Sequence, residues 1–155
     1  FAGLLSFKYQ PVFMRFIFAL LSLSICLASY AQKSVRWEDL ASVSFKEVYN
    51  NDLGAYVMVP TFSDDIKALE GQDIIIKGHV IPMDISANDY VLSANPFASC
   101  FFCGNSGPET VMQLKLKAKN TFQTDDYKSF RGILRLNSDD IYSLNYILEK
   151  ARLNN

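Results

Sequence analysis

The chain has 155 residues, of which half are hydrophobic and a fifth are charged, and it carries 15 basic and 16 acidic residues. This composition suits one soluble globular domain once any targeting segment has been removed. The charge gives no electrostatic reason to bind nucleic acid or an anionic lipid surface, and no nucleic-acid partner is predicted.

Residues 14–31 have the pattern of a secretory signal peptide, with Met14 as the natural start. An apolar run covers residues 16–27, and Ala31 is a small residue suited to cleavage after it. The run is shorter than the roughly 20 residues that span a bilayer, so we expect cleavage and no membrane span in the mature chain. Residues 1–13 are interpreted as an upstream leader outside the native protein. The mature protein is expected to be exported, either periplasmic or secreted.

Cleavage changes the charge and the cysteine content of the chain. Because Lys8 and Arg15 are lost, 13 of the 15 basic residues remain against 16 acidic ones, a formal net charge of −3. Cys26 is also lost, so Cys100 and Cys103 are the only cysteines of the mature sequence. An exported protein with one close cysteine pair differs from a disulfide-dense scaffold.

Residues 35–153 show no repeat, no low-complexity tract and no linker, which predicts a single domain. A short helical turn is predicted over residues 37–40, and a short helix is predicted to follow Ser63, a suitable N-cap, and to end at Gly71. Alternating or β-branched segments predict strands. These strands are residues 43–49, 55–59, 73–81, 90–94, 111–118 and 130–136.

Glycines inside the predicted strands indicate strong curvature. Gly78 and Gly132 are typical of a bulge or of a tight bend in a barrel. The tail, residues 144–153, has apolar residues at a helical period and is ambiguous by pattern alone. Several short strands with interior glycines and one short helix predict a mainly β fold, a small antiparallel barrel.

Several of these segments together are similar to a family of small exported bacterial proteins of unknown function. The resemblance is carried by GHVIPMD at 78–84, YVLSANPF at 90–97, a CxxC loop ending in GPE at 107–109, FRGILRLN at 130–137 and NYILEKARL at 145–153. It implies an OB-like barrel whose last strand is residues 145–153. It also implies proteins that are sometimes associated with membrane transport systems, including those for metal ions. No activity is implied, and the family has an aromatic residue where this chain has His79.

The stretch PFASCFFCGNSGPE at residues 96–109, here called the cysteine loop, is the segment most suggestive of chemistry. The CxxC spacing of Cys100 and Cys103 is half of a closed zinc site, which has four ligands. Thiolate ligands favour zinc or copper. The other candidate ligands are His79, Asp84 and Glu109, of which Glu109 is favoured because the short loop before it can fold back over the cysteines.

The same residues are compatible with purely structural roles. Cys100 and Cys103 could form a disulfide or a packed thiol pair, because exported thiols tend to oxidise. His79 could be a buried strand residue, Asp84 the cap of a turn, and Glu109 a solvated carboxylate. The aromatic residues of the cysteine loop are expected to close one end of the barrel; they are Phe97, Phe101 and Phe102.

The sequence is compatible with three functions. The first is a non-enzymatic exported binding protein that handles zinc or copper through Cys100 and Cys103, for a protein partner in a membrane transport system. The second is a structural or protein-interaction module. The third is a thiol oxidoreductase, although such enzymes have their first cysteine at a helix N-terminus within a βαβ unit. No phosphate-binding loop, zinc-binding helix motif or GxSxG motif is present, so no enzymatic activity is predicted.

Overall fold

The computed structural model describes residues 32–154, which belong to one compact unit. The predicted leader, residues 1–13, and the predicted signal peptide, residues 14–31, lie outside the described residues. Within residues 32–154, no helix has both the length and the apolar character needed to cross a membrane.

Residues 32–154 form eight strands and one short α-helix, α1 (Asp64–Lys67). The strands are β1 (Lys33–Ser34), β2 (Val43–Asn50), β3 (Ala55–Phe62), β4 (Asp73–Asp84), β5 (Asp89–Ser93), β6 (Val111–Leu116), β7 (Asp126–Leu136) and β8 (Tyr146–Leu153). Single turns of 3-10 helix are present at Trp37–Leu40, Phe97–Ser99, Phe101–Cys103 and Pro108–Thr110.

Five of the strands close into a barrel. β4 pairs with β5, β5 with β6, β6 with β8, β8 with β7, and β7 returns to β4. Each of these pairings is antiparallel except β6–β8, which is parallel. The prediction of a mainly β, OB-like barrel with one short helix is therefore confirmed, and the β6–β8 seam is its one parallel pairing.

The long strand β4 connects the barrel because its 12 residues serve three partners. It pairs with β1 near its start and with β5 near its end, while β7 runs along it from Asp73 to Val80. Ile74, Ile76 and Val80 are fully buried, because alternate side chains of a barrel strand point into the interior. At the start of β4, Arg131 Nη2 donates to Asp73 Oδ2 at 2.6 Å. This hydrogen bond lowers the pKa of the Asp73 carboxyl.

The segments before β4 also contribute to the core. The buried hydroxyl of Tyr146 donates to the carbonyl oxygen of Leu40 at 2.7 Å, which ties β8 to the first 3-10 turn. Ser63 Oγ accepts a hydrogen bond from the Ile66 amide at 3.4 Å, so Ser63 is the N-cap that the sequence predicts. Ile66 is fully buried in the main core cluster.

The C-terminal segment is the strand β8, and not the helix that its periodicity favours. Tyr146, Leu148 and Ala151 are buried. Tyr146 and Leu148 are two positions apart, whereas Leu148 and Ala151 are three positions apart. The longer step arises because Lys150 has a φ of 52° and the register against β7 shifts at this point. One extra residue in a strand displaces the next inward side chain by one position. The bulge therefore imitates a helical period, and the strand implied by the family resemblance over residues 145–153 is present.

Gly78 and Gly132 lie where neighbouring strands approach too closely for a side chain. A Cβ added at Gly78 would lie 2.5 Å from the carbonyl oxygen of Ser93, and one added at Gly132 would lie 2.6 Å from that of Glu149. Both contacts are with backbone atoms, which cannot move without displacing a strand. The two glycines therefore permit the tight curvature of the barrel.

We expect Gly78→Ala to lower the free energy of unfolding by about 2 kcal/mol, because the added methyl group overlaps the backbone of β5. The control is Lys77→Ala, one residue earlier on the same strand, where the side chain is exposed. It should change the free energy of unfolding by less than about 0.5 kcal/mol. Urea denaturation followed by circular dichroism measures both. Equal effects would show that the close approach at Gly78 does not constrain the barrel.

Candidate functional site

β2 and β3 form a two-stranded sheet separate from that of the barrel. They pair in continuous antiparallel register, from Val43 opposite Phe62 to Asn50 opposite Ala55. The side chain of Asn50 accepts hydrogen bonds from two amides of the turn, at 2.9 and 3.1 Å. Asparagine commonly fixes turns in this way. The hairpin is therefore a regular arm about 25 Å long, at roughly 3.4 Å per residue.

One face of this hairpin is almost entirely apolar. Directly opposed residues of antiparallel strands point to the same face. The register therefore assigns eight residues to what we call the apolar face: Val43, Phe45, Glu47, Tyr49, Tyr56, Met58, Pro60 and Phe62. Glu47 is the single charged residue among them.

The apolar face is buried at the base of the hairpin and exposed toward its tip. At the base, Phe62 packs against Tyr146 of the barrel with ring centroids 5.6 Å apart. Toward the tip, Tyr49 and Tyr56 contact each other edge-on at 5.2 Å. They are nevertheless 51% and 70% exposed, and Met58 is 57% exposed. The face therefore continues the hydrophobic core outward, and the described residues leave its outer part uncovered.

Internal hydrogen bonds hold the cysteine loop in one shape. The thiol of Cys103 donates to the carbonyl oxygen of Phe97 at 3.0 Å, and the hydroxyl of Ser106 donates to that of Ser99 at 2.7 Å. Asp125 Oδ1 accepts a hydrogen bond from the Phe97 amide at 2.8 Å and so connects the loop to the start of β7. The loop is therefore a folded element of the surface.

The two cysteines are free thiols in different environments. Cys100 is fully buried in a small apolar cluster with Ile81, Val91 and Val111, whereas Cys103 is exposed. Partial desolvation and the neighbouring Cys100 raise the pKa of the Cys103 thiol. A nucleophilic cysteine needs an accessible sulfur and a lowered pKa. The accessible thiol, Cys103, therefore has its pKa shifted away from the direction that favours a thiolate.

The expectation that the aromatic residues of the cysteine loop close the barrel is wrong for two of the three. Phe97 and Phe102 are exposed, whereas Phe101 is half-buried and packs against the Cys100 cluster. The reason is that Cys100 occupies the inward position between the two 3-10 turns of the loop. Phe97 and Phe102 are left at the surface.

The loop between β7 and β8 is held by the side chain of Asn137. Its Nδ2 donates to the carbonyl oxygens of Asp140 and Ser143 at 2.7 and 3.1 Å, and its Oδ1 accepts from the Asp140 amide at 2.9 Å. This arrangement leaves Ile141 and Tyr142 on the surface, and Tyr142 is 86% exposed. The loop therefore presents exposed apolar side chains, of which Ile141 lines a hollow beside β3.

The hairpin and these two loops enclose a groove. A hollow of about 360 Å³ lies between Phe45 and Met58 of the apolar face, Phe101 of the cysteine loop and Leu144. An adjoining hollow of about 250 Å³ lies between residues 57–60 of β3 and the β7–β8 loop. Met58 lines both hollows, so we treat them as one feature, the hairpin groove.

The lining of the hairpin groove is mainly apolar in the larger hollow and mixed in the smaller one. Among the described residues that line it, the charged ones are Asp139 and Asp140, and none is a lysine or an arginine. Glu47 lies on the apolar face opposite Met58. The surface is therefore suited to a ligand with apolar and basic groups.

Of two further predicted metal ligands, Asp84 has hydrogen-bond partners and His79 does not. Among the described residues, His79 Nδ1 is buried without a hydrogen-bond partner and lies 3.9 Å from Asp125 Oδ1, and its ring contacts that of Tyr127 edge-on at 5.0 Å. Asp84 Oδ1 accepts hydrogen bonds from the hydroxyl and the amide of Ser86 at 2.6 and 2.9 Å. These bonds lower the pKa of the Asp84 carboxyl. Asp84 thus caps the turn after β4, as its structural interpretation predicts.

Glu109 and the cysteines do not complete a metal cluster. The Glu109 carboxylate folds back against Gly107, and its charge adds to burial, the larger cause, in raising the pKa of the Tyr146 hydroxyl. Among residues 32–154, no three His, Cys, Asp or Glu side chains are grouped so that they could hold a metal ion. The zinc or copper site at Cys100 and Cys103 therefore stays a prediction.

Comparison with known proteins gives a structural likeness. No protein-family model matches the chain, and no curated protein matches it. The chain is similar to the crystal structure of a DUF3299 family protein from Pseudomonas aeruginosa PAO1, with a TM-score of 0.46 and 17% sequence identity. The match covers 81% of this chain and 97% of that chain. This likeness assigns no function to the chain, and the resemblance to a family of small exported proteins stays a prediction.

The hairpin groove is the feature that sequence reasoning misses. The alternation in residues 43–49 and 55–59 predicts both strands of the hairpin. Pairing the two strands across the turn would also have placed Tyr49 opposite Tyr56 and Glu47 opposite Met58. The pattern does not show that the hairpin forms its own sheet, because an alternating strand has the same signature inside a barrel and beside one.

The two cysteines should differ in their effect on stability. Cys100→Ser should lower the free energy of unfolding by about 1 to 3 kcal/mol, because it places a hydroxyl group in an apolar cluster. Cys103→Ser, the matched control at the surface, should change it by less than about 0.5 kcal/mol. Urea denaturation under reducing conditions measures both. A metal site that needs both sulfurs would instead give similar losses for the two variants.

Proposed function

We propose that this chain is an exported, non-enzymatic interaction module that docks on a protein partner through its hairpin groove. The observation that carries this proposal is the outer part of the apolar face, where Tyr49, Tyr56 and Met58 are all more than half exposed. Export is the expectation from the signal peptide pattern at residues 14–31. A partner in a membrane transport system is what the family resemblance implies.

Exposure of an apolar face to water is energetically unfavourable, and the packing of the fold does not require it. Contiguous exposed apolar patches on soluble proteins mark interaction sites more often than scattered apolar residues do. An isolated two-stranded hairpin is at best marginally stable in water, so its regular register depends on the anchoring of its base, where Phe62 packs on the barrel. The exposed tyrosines and Met58 contribute little to that anchoring. Binding a partner is the role that accounts for them, since tyrosine and methionine are enriched in protein interfaces.

The ordered loops support the same role. The cysteine loop and the β7–β8 loop are held by internal hydrogen bonds. They place Phe101 and Ile141 beside the hairpin with little freedom to lose on binding, and preorganisation of this kind strengthens association. The buried thiol of Cys100 then serves as the anchor of the cysteine loop on the barrel.

Handling of zinc or copper is the competing function, because two free thiols lie together on a tight turn. It is decided by elemental analysis of protein purified under reducing conditions. The interaction module predicts less than about a tenth of an equivalent of metal, unchanged in the variant with both Cys100→Ser and Cys103→Ser. Stoichiometric zinc or copper that this double variant loses would favour metal handling.

Site-specific photo-cross-linking tests the docking surface. A benzophenone amino acid replaces Tyr56 in one variant and Tyr127 in another. Tyr127 is the matched control, because it is a 61% exposed tyrosine on the barrel strand β7. In the organism that encodes the chain, position 56 should give one discrete cross-linked protein, and Met58→Lys should reduce its yield by about tenfold or more. Position 127 should not give this product.

Two results would contradict the proposal. The first is the same set of cross-linked products from positions 56 and 127. The second is a Met58→Lys variant that keeps the full yield at position 56. Urea denaturation of Met58→Lys separates a docking defect from unfolding, since substitution of an exposed side chain should leave the free energy of unfolding within about 0.5 kcal/mol.

A further inference from the structure

Both strands of the hairpin have an open edge, whereas β4 to β8 are paired in a closed ring. Within residues 32–154, β2 and β3 pair with each other and with no other strand, so each has one edge of backbone donors and acceptors without a strand partner. An edge of this kind is a template for an added strand.

The two edges are not equivalent. β3 contains Pro60, which has no N–H to donate. Its residues 57–60 also lie beside the β7–β8 loop, across the smaller hollow of the hairpin groove. β2 is an eight-residue strand without proline or glycine. The outer edge of β2 is therefore the better site for an added strand.

Glu47 gives the outer edge of β2 a preference for an added strand with a positively charged side chain. It is the single charged residue of the apolar face, and none of the ion pairs among the described residues involves it. Its neighbours on the same strand and the same face are Phe45 and Tyr49. A side chain on an added strand directly opposite Glu47 would lie about 5 Å from it between Cβ atoms, where opposite charges attract and like charges repel.

We infer that the outer edge of β2 takes up an extended segment of the protein partner as a third strand, with a lysine or arginine opposite Glu47 and apolar residues opposite Phe45 and Tyr49. This inference rests on the proposed function and specifies the partner for the same surface. The added strand extends the apolar face beyond Phe45, which lines the groove together with Phe101 and Leu144. Main-chain hydrogen bonds supply affinity, and the alternating side chains supply specificity.

A second copy of this chain does not meet these requirements. Two β2 strands related by a two-fold axis in one sheet run antiparallel, and directly opposed residues then come from the same face. Glu47 would face another Glu47 or an apolar residue, in every register. Lys46 cannot reach it because Lys46 points to the other face of the hairpin. The charge pattern therefore favours a different protein with a basic residue at this position.

Synthetic peptides of about nine residues test this inference on the purified protein. The first probe carries lysine at its centre, valine at the second position on either side and threonine elsewhere, with a fluorescein label. The second probe has glutamate in place of the lysine. Fluorescence anisotropy should show that the lysine peptide binds at least about tenfold more tightly than the glutamate peptide.

Charge reversal at Glu47 provides the decisive comparison. Glu47→Lys should reverse the preference in favour of the glutamate peptide, and Glu47→Gln should abolish it. Lys46→Glu is the matched control, since it changes the charge of β2 by the same amount on the opposite face and should leave the preference in place. An effect of net charge alone would make Glu47→Lys and Lys46→Glu shift binding by comparable amounts in opposite directions.

Three outcomes would overturn the inference. They are equal binding of the two peptides, a preference that Glu47→Lys does not reverse, and no binding of either peptide up to about 1 mM. Concentration-dependent dimerisation in analytical ultracentrifugation that Glu47→Lys alters would instead place a second copy on β2. The cross-linking result at position 56 is independent of these peptides. A discrete product there with no peptide preference would reject strand addition and keep the interaction module, whereas its absence would reject the module itself.

Discussion

β4 closes the barrel by pairing with β5 on one side and β7 on the other. This closure limits where the described residues can have free strand edges. β4 has β1 and β5 on one side and β7 on the other, so its backbone groups are paired along most of its length. A closed sheet has no free edge. The hairpin precedes the barrel in the chain and lies outside the closed sheet. In the described part of the chain, the hairpin therefore combines open strand edges with an exposed apolar face.

This arrangement separates stability from recognition. The barrel buries a main cluster that includes Phe130 and Tyr146, and the smaller cluster around Cys100 anchors the cysteine loop to the same framework. The hairpin adds little to either cluster beyond its base. Its outer residues are consequently free to be selected for a partner, since substitutions there cost little folding free energy. Loops and edges that a rigid scaffold positions are common sites of binding in proteins.

The sequence predicts most of the barrel because its signals are local. Each signal affects the backbone within a few residues of its own position. These signals are the alternation of apolar residues, the glycines at positions 78 and 132 and the N-cap Ser63. The tail is not predicted by its pattern because the bulge at Lys150 replaces a spacing of two by a spacing of three. The start of β7 at Asp126 is missed because residues 126–129 are mostly exposed and polar, so they carry little hydrophobic signal.

The candidate site is harder to predict for a physical reason. The cysteine loop attracts attention because CxxC has a well-known chemistry, yet the sequence does not reveal that Cys100 is buried and Cys103 exposed. That difference depends on the packing of Cys100 against Ile81 and Val111, which are distant in sequence. The hairpin groove likewise depends on the placement of one sheet beside another. Contacts between distant segments follow from the whole fold, and no local pattern encodes them.

Hydrogen–deuterium exchange of the free protein, read residue by residue by NMR, determines whether the edge of β2 is open. If it is open, the amides of β2 that do not donate to β3 exchange at nearly unprotected rates, whereas the amides that join β4 to β7 exchange only through global unfolding. We expect this contrast between two strands of one chain. Protection of all β2 amides to the level of β4 would contradict the docking role of the hairpin, because it would mean that the edge is already covered in the free protein.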